Sequence, residues 1–572
     1  MMTNGEIAKM LAMTADLLEI KGENPFKVRA YRNAARIVEN SSKDFDKLVK
    51  EGFDLTRLPG IGKDLSEYIK EIVNTGKFHK LEELKKEIPQ GLVDMLSIEG
   101  LGPKRVKQIY DAFGVTSLEE LKKYAQSGEL DKLPGFGPKL IEKILKGIKQ
   151  LKKAGIRFLW AEVEDIAEDL REYLLKFEGV EIVEIAGSYR RKKETVGDLD
   201  ILVVAKDYPK VSEYFIKYPE VKEVHSAGLT RSTVFLQNGL QVDLRAVSHE
   251  SYGAALHYFT GSKAHNIEIR KIAISLGMKV NEYGVYKDDK KIAGESEEEV
   301  YKAVGLCYIE PELRENRGEI EACRENRLPK LIKREDLRGD LHIHSNYSDG
   351  ANTIEEIAKK AIELGYEYIA ITDHSKRLKV ANGMDEKKIL RQFEEIDRLN
   401  EKFKGKIYIF KGCEVDILED GSLDYDEEIL EKCEIVNAAI HYKFDLPREL
   451  QTKRVIKAIN NPFVTTISHP TGRILHKREE MSLDFELIFS EAVKNGVFLE
   501  INSQPDRLDL NDVLIKQAIE KGVKLVINSD AHNLKSLNFV KYGINQARRG
   551  WCEKKNVINT LSLKELKGML RE

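Results

Sequence analysis

The spacing of apolar residues changes along the chain and predicts a multidomain protein of α and α/β structure. Residues 1–150 show helical periodicity broken by glycine turns, whereas residues 151–320 mix helices with alternating runs typical of strands. Beyond them, apolar strand-length runs alternate with amphipathic helices, which favours a distorted (βα)7 barrel. The predicted domains are two helical regions at 1–90 and 91–150, a mixed α+β core at 151–320, a charged linker at 321–339 and the barrel at 340–572.

Composition limits the setting in which the protein works. The 572 residues include 33% charged side chains and carry a formal net charge of −3, so a soluble chain is expected. Apolar runs of membrane-spanning length and a signal-peptide pattern are both missing from the sequence. The five cysteines show no paired spacing, which favours a reducing cytoplasm and predicts no structural disulfide.

The stretch 183–204 brings together candidate metal ligands. Alternation along its second apolar run places Asp198 and Asp200 on one face of a strand. Asp243, in another alternating run, supplies a third carboxylate. An Asp-x-Asp pair alone more often marks a solvated strand edge, and the third carboxylate shifts the balance toward a metal site.

Candidate phosphate-binding residues precede these carboxylates. Gly187 and Ser188 offer an open backbone and a hydroxyl group, and Arg191 offers a fork of donors for phosphate oxygens. Clustered carboxylate oxygens suit Mg²⁺, which takes substrate phosphates as its other ligands. The combination predicts phosphoryl transfer.

A turn with an apolar residue between two glycines occurs three times in the helical part, about 35–40 residues apart. Glycines let the backbone approach a ligand closely, and the helix that follows begins with free N–H groups that bind phosphate. The repeat resembles helix-hairpin-helix motifs, which grip the DNA backbone. The residues concerned are Gly60, Gly62 and Lys63, then Gly100, Gly102 and Lys104, then Gly135, Gly137 and Lys139.

In the barrel region, each predicted strand ends in or near a residue that binds metals. A single histidine at a strand end is more often structural than a ligand. Here histidines and carboxylates recur at one end of a parallel barrel, where active sites form. Such a set suits Zn²⁺ or Mn²⁺ in a cluster of two or three ions. The candidates are His342, His344, Asp349, His374, Glu414, His441, His469, Asp530 and His532.

The central motifs resemble the nucleotidyltransferase superfamily. Tyr-Phe-Thr-Gly-Ser at 258–262 and Asn-Glu-Tyr at 281–283 look like family X DNA polymerases specifically. The resemblance implies that Asp198, Asp200 and Asp243 hold two Mg²⁺ ions. It also implies that the triphosphate, sugar and base contacts of the incoming nucleotide come from Gly187, Ser188, Arg191, Gly197, Tyr258, Phe259, Gly261 and Asn266, and that Arg270 touches the DNA template.

Three residues depart from the pattern of this family. Lys263 stands where many relatives have an acidic residue, and Gln241 stands where several have an arginine near the third aspartate. Tyr68 occupies the place of the lysine that forms a Schiff base in the lyase members. Tyrosine forms no imine, so deoxyribose-phosphate lyase activity through this position is not expected.

The strand-end ligand set resembles the polymerase and histidinol phosphatase (PHP) domain, so the whole chain resembles bacterial family X polymerases with a C-terminal PHP domain. This resemblance implies gap filling in DNA repair, base excision repair included, with a 3′→5′ exonuclease and a further expectation of cleavage at abasic sites. The expected partners are gapped or primed DNA and deoxynucleoside triphosphates, and no association with a membrane is expected. The protein is expected to be a monomer that works in the cytoplasm, associated with the nucleoid. The alternatives are a small-molecule phosphoesterase of the histidinol phosphatase type and a non-catalytic DNA-binding scaffold.

Overall fold

A computed structural model describes residues 4–39, 41, 45–58, 60–96, 98, 100–154 and 157–570. The chain divides into two compact units, Met1–Ile156 and Arg157–Glu572. Pro59 and Glu99, which belong to the first two glycine turns, lie outside the described residues. Among the residues that are described, each helix is too short or too polar to span a membrane.

The first unit is helical around one apolar core, as its periodicity predicts. Glycines in left-handed conformation end two of the helices, at Gly76 and Gly114, because glycine carries no Cβ penalty there. Its α-helices are Asn4–Lys21, Pro25–Glu39, Phe45–Lys50, Lys63–Thr75, His79–Glu87, Gln90–Met95, Pro103–Phe113, Leu118–Gln126 and Pro138–Ala154.

The second unit begins with a five-stranded sheet. Its strands lie in the order Val180–Ile185, Asp198–Ala205, Gln241–Ala246, Arg231–Leu236 and Val221–Ala227. Only the pair formed by the second and third of these strands is parallel; the others are antiparallel. The helices Trp160–Leu175 and Tyr208–Phe215 cover the sheet, and Phe158–Leu159 pairs with Thr195–Val196.

A helical and three-stranded region follows the sheet. Its elements are Tyr252–Thr260, Lys263–Ser275, Met278–Asn281, Gly284–Lys287, Lys290–Ala293, Glu297–Ala303 and Glu319–Arg324. A buried ion cluster ties this region to the sheet: the Glu297 carboxylate accepts hydrogen bonds from both Arg190 and the fully buried Arg314. Burial tends to raise the pKa of Glu297, but the two guanidinium groups outweigh it and lower that pKa to about 2.

The barrel consists of seven parallel strands in sequence order, as predicted. A bridge between Ile343 and Ala531 brings the first strand beside the last, so the barrel is nearly closed. The strands are Gly339–Ile343, Tyr368–Ile371, Tyr408–Asp416, Ile435–Ala439, Thr466–Ile467, Phe498–Asn502 and Leu525–Asn528. The helices are Ile354–Glu363, Glu386–Lys402, Glu427–Leu430, Arg448–Ile459, Phe485–Asn495, Asp512–Glu520, Val540–Arg549 and Leu563–Met569.

The stretch 321–339 is packed against the barrel. Ile332 donates a backbone hydrogen bond to Cys552, and Arg338 donates one to Asn559. The structure corrects one expectation here, because Cys307 and Cys323 form a disulfide. The helix Glu319–Arg324 folds back onto the chain near Cys307, a contact that the 16-residue separation in sequence does not reveal.

Candidate active sites

The carboxylate site, formed by Asp198, Asp200 and Asp243, lies at the start of two neighbouring strands. The strands Asp198–Ala205 and Gln241–Ala246 pair in a register that sets Asp200 directly opposite Asp243. Alternation along the first strand keeps Asp198 on the face of Asp200. Asp243 is buried, Asp200 is half-buried and Asp198 is exposed, so the site opens to solvent at Asp198.

Burial and mutual repulsion together determine the electrostatics of the carboxylate site. Burial, reinforced by the carboxylates of Asp198 and Asp243, raises the pKa of Asp200 to about 7. Although the Asp198 side chain reaches solvent, partial desolvation by the surrounding protein and then the Asp243 carboxylate raise its pKa. Such shifts show carboxylates that are held together at an energetic cost, which a cation between them relieves. The donors are all oxygen, so these residues fit Mg²⁺.

Three polar side chains orient Asp243. The Thr233 hydroxyl donates a hydrogen bond to its Oδ1, the Arg231 guanidinium lies 3.1 Å from the same oxygen, and Gln241 donates to Oδ2 at 3.1 Å. Arg231 and Thr233 were not predicted from the sequence. Their signal is register: Thr233 is the antiparallel partner of Asp243 in the next strand.

Arg245 is a further residue that sequence reasoning missed. Its Nε lies 3.9 Å from Asp200 Oδ1, and its guanidinium stacks 4.3 Å from the centre of the Phe259 ring. Arg245 follows Asp243 by two positions and therefore shares its face of the strand. The structure thus connects Phe259, predicted to contact the sugar, with the carboxylate site.

The phosphate loop, residues 187–197, packs against the carboxylates. Gly187 has φ of +63°, and a Cβ atom there would lie 2.9 Å from Asp200 Oδ2. Ser188 follows in the short helix Gly187–Arg190 and is half-buried. At the other end, a Cβ on Gly197 would lie 3.1 Å from the Arg157 guanidinium. Both predicted glycines therefore sit at close approaches that a side chain would disturb.

Arg191 joins the phosphate loop to the neighbouring region. Its Nε donates to Glu315 at 3.0 Å, and its Nη1 donates to the Thr260 carbonyl. A Cβ on Gly261 would lie 3.2 Å from Arg191 Nη1, so Gly261 leaves room for the guanidinium. Arg191 is nearly buried, and its partners hold it in one place.

Tyr258, Phe259, Asn266 and Arg270 lie together on consecutive helices. The rings of Tyr258 and Phe259 meet edge-on, with centroids 5.1 Å apart. Asn266 donates its amide to the Tyr258 carbonyl at 2.7 Å, and its buried Oδ1 has no hydrogen-bond partner among the described residues. Arg270 Nε reaches the Asn266 carbonyl at 3.4 Å. This arrangement leaves Asn266 an acceptor to offer to a base.

The three glycine turns share one geometry. The first glycine of each has a positive φ, between +84° and +91°. A Cβ on the second glycine of each meets nothing within 4 Å, so the backbone before the next helix is open to a ligand. Lys63, Lys104 and Lys139 are exposed at the start of these helices. Each turn therefore presents an open backbone beside an exposed lysine, a combination that suits an anion.

Tyr68 belongs to an aromatic cluster of the first unit. Its ring stacks on Tyr31 with centroids 5.9 Å apart and tilts against Phe78 at 5.4 Å. The half-buried tyrosine thus fills a packing position at the place of the family lysine.

The histidine site, formed by the nine predicted barrel ligands, lies at the carboxyl ends of the strands. Three overlapping groups have ligand atoms within 4.8 Å of one another. Glu414 is central: its Oε2 lies 2.8 Å from His374 Nδ1, and its Oε1 lies 2.8 Å from His469 Nε2. The groups are His344, Asp349, His374 and His532; His342, His344 and Asp530; and His374, Glu414 and His441.

The polar atoms of the histidine site fit metal ions. Nε2 of His342 and Nε2 of His344 face each other at 3.1 Å, and the buried Nδ1 atoms of His344 and His469 find no hydrogen-bond partner in the described chain. Burial, together with His532 and His374, lowers the pKa of His344 to about 3, so this imidazole is neutral. Burial tends to lower the pKa of His441 and His532 as well, but neighbouring carboxylates outweigh it and raise both to about 9, so metal binding would release protons from these two rings. Mixed nitrogen and oxygen donors suit Zn²⁺ or Mn²⁺.

Two further carboxylates orient the histidines. Glu500 Oε1 lies 2.7 Å from His342 Nδ1, and Asp416 Oδ1 lies 2.5 Å from His441 Nδ1. Such outer partners fix the ring orientation of metal-binding histidines. Neither was predicted, although a glutamate inside the buried strand Phe498–Asn502 and an aspartate two positions after Glu414 were visible signals.

Family models match most of the chain up to residue 504. A helix-hairpin-helix domain matches residues 2–78, and a SAM-like helix-hairpin-helix tandem matches 92–150. The DNA polymerase beta palm matches 157–274, the DNA polymerase beta thumb 255–315 and the PHP domain 340–504.

Curated relatives cover the chain in whole or in part. The chain is 41% identical to the DNA polymerase/3′-5′ exonuclease PolX of Bacillus subtilis over 99% of both proteins. A probable phosphatase of Thermoanaerobacter sp. is 37% identical over 34% of this chain and 78% of its own length. DNA polymerase lambda of Arabidopsis thaliana is 26% identical over 54% of the chain and 61% of its own length. The order of domains and the identity over the full length place the chain in the family of bacterial family X DNA polymerases with a C-terminal PHP domain.

Proposed function

We propose that this chain fills short gaps in DNA by adding deoxynucleotides at the carboxylate site. The observation that carries the proposal is the register that sets Asp200 opposite Asp243 beside the phosphate loop. Mg²⁺ held by Asp198, Asp200 and Asp243 supplies charge neutralisation at the reacting phosphate. The chain belongs to the bacterial family X polymerases, and this membership indicates the class of reaction.

The residues around the carboxylate site orient the substrates. Gly187 and Ser188 offer backbone and hydroxyl donors to the triphosphate, and Arg191 offers its guanidinium. Tyr258 and Phe259 pack against the sugar of the incoming nucleotide. Asn266 and Arg270 contact the edges of the new base pair and the template. The glycine turns of the first unit bind the DNA backbone.

A gapped-primer extension assay with Mg²⁺ tests the proposal. Asp200→Asn is expected to lower nucleotide addition at least a thousandfold, because it removes one of three ligand carboxylates, while DNA binding persists through the glycine turns. Glu213→Gln removes an exposed carboxylate from the helix Tyr208–Phe215 and serves as the control. Synthesis at the wild-type rate by Asp200→Asn would remove the assignment.

We propose that the histidine site removes nucleotides from the 3′ end of DNA. The observation that carries this second activity is the convergence of nine ligand side chains at the mouth of the barrel, where the buried Nδ1 atoms of His344 and His469 have no hydrogen-bond partner among the described residues. Zn²⁺ or Mn²⁺ supplies Lewis-acid chemistry for phosphoester hydrolysis there. His344, Glu414 and Asp530 hold the centre of this site, while Glu500 and Asp416 fix ring orientation.

Degradation of a 3′-labelled strand without nucleotides tests the nuclease. His344→Ala is expected to abolish removal of 3′ nucleotides while gap filling continues, because the two sites use different ligands. His476→Ala, an exposed histidine of the same domain, is the control. If His344→Ala degraded DNA at the wild-type rate, the nuclease would reside elsewhere.

The PHP relatives described as probable phosphatases favour one alternative, a small-molecule phosphoesterase. They resemble only about a third of the chain. Comparing hydrolysis of p-nitrophenyl phosphate with that of single-stranded DNA separates the two activities. The helix-hairpin-helix turns favour DNA, since binding of a polynucleotide backbone contributes nothing to hydrolysis of a small phosphate ester.

We propose that the protein acts as a monomer on gapped DNA at the nucleoid.

A further inference from the structure

The barrel contacts the phosphate loop through one buried arginine. Arg549 ends the helix Val540–Arg549 and is 3% exposed. Its Nη1 donates to the main-chain carbonyl of Arg191 at 2.7 Å and to Glu315 Oε1 at 3.1 Å. Its Nη2 donates to Asp512 at 2.6 Å. One side chain of the PHP domain therefore holds both the backbone of Arg191 and the carboxylate that pairs with the Arg191 guanidinium.

Glu315 is shared between two guanidinium groups. It accepts from Arg191 Nε at 3.0 Å and from Arg549 Nη1 at 3.1 Å. Burial tends to raise the pKa of Glu315, yet Arg549 and Arg191 outweigh it and lower that pKa, so Glu315 is anionic. Because Arg549 takes part of this negative charge, Arg191 keeps positive potential for a phosphate.

A second barrel contact holds the same loop three residues further on. Glu194 Oε2 accepts from Arg473 Nη2 at 2.7 Å, and Gln546 Nε2 lies 3.3 Å from the same oxygen. The Glu194 carbonyl in turn accepts from the Trp160 backbone N–H at 2.9 Å. The phosphate loop is thus held to the barrel at positions 191 and 194, which lie between the helix Gly187–Arg190 and the strand Asp198–Ala205.

We propose that the PHP domain is part of the nucleotide-binding machinery, and that Arg549 is a positioning residue for the triphosphate. The inference rests on the proposed role of Arg191 in binding that triphosphate. Arg549 fixes the main chain of Arg191 and divides the charge of Glu315, so that the Arg191 guanidinium stays placed and available. Without Arg549, Glu315 loses one of its two guanidinium hydrogen-bond donors and competes more strongly with the phosphate for Arg191.

Steady-state gap filling by the full-length enzyme tests this assignment. Arg549→Gln is expected to raise the KM for the nucleotide about tenfold with kcat changed less than threefold, because the reacting carboxylates are untouched. Arg549→Lys keeps the positive charge but cannot make the three contacts of Arg549 at once. Its KM for the nucleotide should therefore lie between those of the wild type and Arg549→Gln. Nuclease activity at the histidine site is the check that each variant is folded.

Lys541→Gln provides the matched control. Lys541 lies on the same helix and forms an ion pair across the same interface, with Glu164 at 2.6 Å, but does not touch the phosphate loop. Its KM for the nucleotide should equal that of the wild type. An equal rise in KM for Lys541→Gln and Arg549→Gln would reduce Arg549 to a general interface residue and overturn the proposal.

A double substitution separates this inference from the proposed function. Arg191→Gln should raise the KM for the nucleotide, and adding Arg549→Gln should raise it little further, since the two act through one group. If Arg191→Gln left KM unchanged, the proposed role of Arg191 would be wrong. If Arg191→Gln raised KM while Arg549→Gln did not, or if the two effects multiplied, only the inference about Arg549 would be wrong.

Discussion

Gly187 shows how much a single backbone position controls. Any side chain there would press on the Asp200 carboxylate, at 2.9 Å for Cβ, and would strain a backbone with φ of +63°. Gly187→Ala is expected to lower kcat/KM for nucleotide addition about 100-fold, the size of effect that a misplacement of about 1 Å produces. Gly239→Ala is the control, because Gly239 has φ of +92° but open space around its Cβ. Similar losses in both variants would assign the effect to backbone strain alone.

At this scale, the sequence predicted side chains but not their partners. The alternation in 198–200 was enough to place two carboxylates on one face, and Asp243 was expected as the third; the structure adds the register that sets Asp243 opposite Asp200. The contacts of Arg245 and Thr233 with the carboxylates were not predicted, because they depend on which strands are neighbours in the folded sheet.

The helix Glu297–Ala303 illustrates how one element secures another. Its first residue accepts hydrogen bonds from Arg190 of the phosphate loop and from Arg314. The pKa of Glu297 is lowered from 4.5 to about 2, so its charged form stabilises the fold above pH 4.5. That contribution, about 3 kcal/mol, is lost as the pH falls from 4.5 toward 2.

Acid unfolding of Glu297→Gln therefore should differ from that of the wild type. The variant is expected to be less stable by about 3 kcal/mol near neutral pH, with the difference shrinking as the pH falls below 4.5. Denaturant unfolding at a series of pH values measures this. Glu298→Gln, exposed on the same helix, should follow the wild type. A constant difference at every pH would contradict the ionic explanation.

Elements with a strong period were predictable. The amphipathic helices expected between the barrel strands are present, for example Ile354–Glu363 and Glu386–Lys402, and all seven strands are parallel. The disulfide between Cys307 and Cys323 was not predictable, because it depends on a helix folding back onto an irregular stretch. Sequence periodicity carries no information about such a return.

The polymerase core and the barrel share one hydrophobic cluster. Tyr542 and Leu508 of the barrel pack with residues of the core, and the Tyr542 ring meets Trp160 edge-on at 5.8 Å. The Tyr542 hydroxyl donates to Glu164 at 2.9 Å. This packing joins parts of the chain that the sequence analysis separates at the charged stretch 321–339. It was not predicted, because the periodicity of apolar residues does not indicate which surfaces of two domains pack together.

Tyr542→Ala is expected to destabilise both activities together. Removal of this ring should cost about 3 kcal/mol of unfolding free energy and lower the inactivation temperatures of polymerase and nuclease by the same amount. Thermal inactivation followed with both assays checks this. Leu450→Ala, at a side chain that is 56% exposed, is the control. Loss of only one activity on heating would show that the two parts unfold separately.

The shared cluster also bears on how an error at a 3′ end is corrected. Buried arginines and aromatic packing join the core to the barrel and fix the distance between the carboxylate site and the histidine site in this conformation. A swing of one part against the other would have to break these contacts. Release of the primer end from the first site followed by binding at the second leaves them intact. Removal of an error then depends on the rate of primer extension relative to the rate of primer release. A mispaired end is extended slowly, so it is more often released and hydrolysed at the histidine site.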